Sequence, residues 1–100
     1  MAWTIFSVPS AKRTELDAAL RDDVVSRQSQ KVRAAGALGG PADALYVLVE
    51  GSPEAIRRTE ELLGTVGKRL IAPESDALLV RFKEEEEAAS AGMGLFFTEG

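Results

Sequence analysis

Apolar residues fall in short dense runs separated by polar stretches bearing glycine and proline, and the spacing inside each run indicates what it builds. Residues 2–8 (Ala-Trp-Thr-Ile-Phe-Ser-Val) are rich in β-branched and aromatic side chains and stop at Pro9, which predicts a strand. Ser10 stands where a helix cap belongs, and Leu16, Leu20 and Val24 recur every four residues behind it. The polar stretch from Arg27 to Arg33, running into Val32 and Ala34, predicts a weak edge strand, and Gly39-Gly40-Pro41 the clearest turn. Ala44 to Val49 is almost unbroken apolar sequence, the pattern of a strand in the middle of a sheet. Ser52, Pro53 and Glu54 make the best helix start in the chain. The serine can accept a backbone N–H, the proline lacks a donor where none is needed, and the acid faces the positive end of the helix dipole. Ile56, Leu62 and Leu63 supply the buried stripe, Glu54/Arg58 and Arg57/Glu61 pair on the wet side, and Gly64 or Gly67 can close the helix in a left-handed cap. Ala77 to Lys83 predicts a last strand, and Glu84 to Ala91 a short helix closed by Gly92, with Leu95-Phe96-Phe97 behind it.

The order β-α-β-β-α-β resembles the ferredoxin-like split β-α-β fold, here an α+β chain forming a single domain over 1–100 with a short C-terminal helix and an apolar tail. That topology makes the first and third strands central, and these are the most apolar segments; the second, an edge, is the most polar. One face of such a sheet packs on its two helices, and an open face should alternate polar with apolar. It does not. Leu45, Val47 and Val49 oppose Tyr46 and Leu48; Trp3 and Ile5 oppose Phe6 and Val8; Leu78, Val80 and Phe82 oppose Leu79. The expected open face therefore carries Phe6, Val8, Tyr46, Leu48 and Leu79, a larger apolar patch than a bare monomer tolerates. Its cover is the C-terminal helix with Leu95, Phe96 and Phe97, a second copy of the chain, a protein partner or a ligand. The leading expectation is a homodimer: a non-enzymatic binding or regulatory module associating through this face, in the general manner of ACT-type and other dimeric ferredoxin-like domains.

Composition narrows the chemistry. The chain is 45% hydrophobic and 28% charged, ordinary globular usage. No apolar run approaches the roughly 18 residues of a membrane span. The start, Met1 to Phe6, lacks a basic segment and a small-residue cleavage site, so it reads as mature cytoplasmic sequence. With no cysteine and no histidine, disulfides, thiolate nucleophiles, zinc-cysteine clusters and the commonest general base are excluded, and no cofactor or metal is expected. A net charge of −4 disfavours nucleic acid and anionic membranes. No acid lies between Asp23 and Asp43, where Arg27, Lys31 and Arg33 make a basic strip. Such a strip guards an edge strand against strand addition, or else meets an anion.

Gly64-Thr65-Val66-Gly67-Lys68-Arg69-Leu70-Ile71 resembles the GXXG loop of KH RNA-binding domains, in which two helices flank a loop that clamps the nucleic-acid backbone. The resemblance spans eight residues and implies single-stranded RNA contacts at Gly64, Gly67, Lys68 and Arg69. It departs from the pattern in that Thr65 and Val66 are not basic and Pro73 arrives too soon for a second helix. A plain helix cap shows the same two-glycine spacing. Glu84 to Glu87 point around a helical turn instead of converging on a cation, and read as an acidic helix start. Gly92-Met93-Gly94 reads as a joint. For catalysis there remain carboxylates and lysines. Glu50, at a strand end beside the Ser52-Pro53 helix start, is the first place to seek a small-molecule site; the third functional alternative, a small cofactor-free enzyme with a carboxylate-based site, has its pocket at the dimer interface.

Overall fold

The computed structural model describes residues 2–85. In chain order these form β1 (Ala2–Pro9), α1 (Arg13–Leu20), β2 (Ser29–Ala34), β3 (Ala44–Gly51), α2 (Pro53–Leu63), β4 (Lys68–Arg69) and a third helix, α3, over 74–85. The strands make one antiparallel sheet in the order β2-β3-β1-β4, so the described residues form a small α+β structure with four strands and three α-helices. As expected, β1 and β3 are central and the polar β2 is an edge. The Ser52 hydroxyl caps α2, accepting the Ala55 N–H at 3.2 Å, with Pro53 at the first helical position. Gly64 ends α2 in a right-handed conformation (φ −62°). The left-handed residue among those described is Gly39 (φ 85°), in the turn before β3.

Three expectations are corrected. Ser10 caps nothing: it sits in a 3-10 turn, and its N–H donates instead to the Asp43 carbonyl at 2.8 Å. Past α1 it is Val25 that is buried, while Val24 stays 40% exposed. The larger correction concerns residues 77–83, which are helix and not strand. Burial falls on Ser75, Leu78 and Phe82 while Val80 is 56% exposed, which is a helical stripe and not an alternation. Pro73, Glu74 and Asp76 precede and open α3 much as Pro53 and Glu54 open α2, with acids again in the first turn. Glu84 and Glu85 thus lie in the final described turn of α3, not at the start of a new helix. Glu86, Glu87 and the segment 88–97, with Leu95, Phe96 and Phe97, lie outside the described residues. The fourth strand is instead the short β4, which pairs Arg69 with Phe6 and Lys68 with Ser7.

Register decides which side chains share a face, because residues directly opposite on antiparallel strands point the same way. Phe6 lies opposite Val47 and Val8 opposite Leu45, so Phe6 and Val8 pack with Val47, Val49, Leu16, Ile56 and Leu63 beneath α1 and α2. Ile5 lies opposite Leu48, and the second face is built from Ile5, Tyr46 and Leu48 with Leu70, Leu78 and Phe82, flanked by Trp3 and Leu79. Both faces are apolar, but Phe6 and Val8 lie on the α1–α2 face, contrary to the expectation from sequence. The second face is covered by the chain's own α3.

Arg58 pairs not with Glu54, as expected along α2, but with Asp22, which ties the exit from α1 to α2. The Asp22 carboxylate accepts from Arg58 at 3.0 Å and from the Val24 and Val25 N–H groups at 3.1 and 3.3 Å. The Arg58 hydrogen bond holds the Asp22 carboxyl below its ordinary value of 3.8; desolvation opposes this, and the two backbone donors reinforce it. A carboxyl lowered in the folded state stabilises the fold above its unfolded value and loses that contribution as pH falls through the folded one. Asp22→Asn is therefore expected to be less stable than the parent at pH 7 and to converge with it below about pH 4 in urea titrations. Parallel stability profiles across that range would remove Asp22 from the acid response.

Candidate functional site

Of the residues expected to form an interface, Phe6 and Val8 lie under α1 and α2, and Tyr46 and Leu48 under α3, each no more than 5% exposed; Leu79 is partly buried at the flank of α3. None of the first four is at the surface of the described chain, so the homodimer expected on their account loses its basis. Polar ties at the rim fix α3 in place. Lys83 Nζ reaches both Glu50 carboxylate oxygens at 3.0 and 3.1 Å, Arg33 pairs with Glu85, and Arg81 donates to the Leu38 carbonyl at 2.8 Å. Glu50 is therefore neither a free carboxylate nor a solvated strand end. Its side chain is 15% exposed and engaged by a cation.

The basic strip does not assemble as one surface. Arg27 lies in the turn before β2 and pairs with Asp23 at 3.3 Å. Lys31 and Arg33 do lie on β2, opposite Leu48 and Tyr46 on the α3 side, and Arg33 is taken by Glu85. On the opposite edge Arg69 pairs with Glu60 of α2 at 3.0 Å.

The Gly64–Gly67 loop joins α2 to β4, so the second helix of a KH-type clamp is missing. Its backbone donors are also occupied. The N–H groups of Gly64, Thr65, Val66 and Gly67 donate to the carbonyls of Glu60, Leu62, Leu63 and Leu63 at 3.0, 3.4, 3.0 and 2.8 Å. Val66 points into the α1–α2 core. A loop whose amides all close a helix end has none to offer a phosphate. Gly67 has a different reason to be glycine: a Cβ there would collide with the Ser7 carbonyl oxygen and the Val8 side chain, which lets β4 approach β1.

That approach opens a cleft of about 450 Å³ at one end of the sheet. Its walls are the Gly64–Lys68 connector, the end of β1 at Ser7 and Pro9, and the turn Pro41, Asp43 and Ala44 that feeds β3. Pro9 lies opposite Ala44 across the β1–β3 ladder, and Ser7 lies opposite Lys68 across β1–β4. The lining mixes apolar surface (Pro9, Pro41, Ala44, Val66) with two hydroxyls, one carboxylate and one ammonium. The Thr65 hydroxyl donates to Leu62 at 2.8 Å, leaving its lone pairs toward solvent. Neither Asp43 nor Lys68 has an ion-pair partner among the described residues. A second hollow, of about 250 Å³, lies between Trp3, Ile5 and Leu70 and the start of α3 at Ser75 and Asp76, with Ile71 at its rim.

Sequence reasoning picked out Gly64, Gly67 and Lys68 for a reason the structure does not share, and missed Ser7, Pro9, Pro41, Asp43, Ala44 and Thr65. The cleft draws on three distant segments, and no local spacing marks them as neighbours. Among the described residues no group of three or more acids could hold a metal, and no helix is long and apolar enough to cross a membrane. Comparisons with family models, with curated proteins and with solved structures return no match.

Proposed function

We propose that the chain is a non-enzymatic binding module of ferredoxin-like architecture that takes a small ligand in the cleft between the Gly64–Gly67 connector and the Pro41–Ala44 turn. The strand order β2-β3-β1-β4 with its crossing helices supports the architecture. The observation that carries the binding reading is the cleft itself. Its volume of about 450 Å³ falls in the usual range for small-molecule sites, and its lining mixes polar and apolar surface in nearly equal measure. Association through the sheet face drops out of this reading, because α3 already fills that face.

Backbone amide spectra recorded during a screen of metabolites and small fragments provide the test. A ligand is expected to shift the amides of Ser7, Asp43, Ala44 and residues 64–68. Thr65→Trp, which places a large ring at the mouth, is expected to weaken that response at least about tenfold while the rest of the spectrum keeps its dispersion. No binder at all, or binders that shift only the hollow around Trp3 and Ile71, would overturn the proposal.

A further inference from the structure

We infer, on the reading that the cleft is a binding site, that its ligand is a small zwitterion: an ammonium and a carboxylate carried on one apolar body, as in an amino acid or a short peptide with free termini. Lys68 and Asp43 both line the cleft and carry opposite charge, yet neither makes an ion pair among the described residues. The ladder explains why. Lys68 is paired to Ser7 on one side of β1, whereas Asp43 precedes Ala44, the partner of Pro9, on the other side. Two strand spacings across and about three residues along place their Cα atoms roughly 14 Å apart. The Ser10 N–H bonded to the Asp43 carbonyl holds the turn in that position.

The two charges cannot neutralise each other across that gap, and each acts against a ligand of its own sign. A simple anion gains from Lys68 and is repelled by Asp43; a simple cation meets the reverse. A molecule carrying both charges gains at both ends. Ser7, directly opposite Lys68 and on the same side of the sheet, places a hydroxyl beside the ammonium for a shared carboxylate. Pro9, Pro41 and Ala44, which also line the cleft, offer apolar contact to a body, not to a sugar or a phosphate chain. The loop amides, spent on closing α2, add no anion-binding capacity that would favour a phosphate instead.

Titrations of the 15N-labelled protein with L-leucine and with trialanine, in about 0.15 M salt, test this and separate the two sources. At least one of them is expected to shift the amides of Ser7, Asp43 and Lys68. Its N-acetyl and its C-terminal amide forms, which each remove one charge, are expected to bind about tenfold more weakly or worse, the usual loss for one charged hydrogen bond. Asp43→Asn and Lys68→Met, both at exposed positions, are expected to fold as the parent does. Asp43→Asn should also abolish the difference between the free and the N-acetylated probe, which a general loss of structure does not do. Leucine alone binding identifies an amino-acid site, and trialanine alone a peptide site. Blocked forms that bind as well as free ones, or no shift from either probe, would overturn the zwitterion. In that case the binding reading still stands if another compound shifts the same amides and is lost in Thr65→Trp, and falls if none does.

Discussion

Leu48→Glu is expected to leave the protein largely unfolded at room temperature. Leu48 is fully buried at the centre of the sheet, opposite Ile5 and in one cluster with Tyr46, Leu70, Leu78 and Phe82. A carboxylate there loses its water, and Lys31, opposite it on β2, already has an interaction of its own. The polar ties of α3 lie at the rim, where Lys83 is already committed to Glu50 and Arg33 to Glu85. Burying an unpaired charge costs several kcal/mol even when the group protonates instead, against a total stability of about 5–15 kcal/mol for a domain of this size. Were the second face bare, the same substitution would be a surface change of about 0.5 kcal/mol or less. Circular dichroism and urea titration separate these outcomes: a variant as stable as the parent would mean that nothing covers Leu48.

Phe82→Ala is expected to destabilise by about 3–5 kcal/mol, because the ring is 2% exposed and its removal leaves a cavity between α3 and the sheet. At about 4–8 °C per kcal/mol this lowers Tm by upwards of about 12 °C. Val80→Ala, two residues away and 56% exposed, is expected to change stability by no more than about 0.5 kcal/mol. The contrast reports the period of the segment. In a strand Val80 would share the face of Leu78 and Phe82, and the two substitutions would both be costly. Similar large losses at 80 and 82 would return residues 77–83 to a strand and remove the cover from the second face.

How much of this was legible follows from how local each signal is. Ala44–Val49 reads as a central strand because its composition alone says so, and the α2 start reads correctly because Ser52, Pro53 and Glu54 act on their own backbone neighbours. The apolar character of both sheet faces is likewise visible strand by strand. Which residues share a face is not, since it depends on pairing between strands: Phe6 follows Val47, and Ile5 follows Leu48, only once the register is known. Ala77–Lys83 misleads because four apolar residues in a row fit both periods. Pro73, Glu74 and Asp76 held the deciding signal, the same chemistry that opens α2. The cleft was the least legible part, since Asp43, Ser7 and Lys68 meet only through two ladders and a glycine small enough to let β4 close on Ser7.

One chain supplies both the sheet and the helix that covers its second face. Nuclear Overhauser contacts measured on an equal mixture of isotope-labelled and unlabelled protein address it most directly. Contacts from the Phe82 ring to the methyl groups of Ile5, Leu48 and Leu70 are expected within labelled molecules, unchanged on dilution and absent from the spectrum filtered for contacts between molecules. The same contacts appearing in the intermolecular spectrum would contradict the claim and place the helix of a second copy on this face.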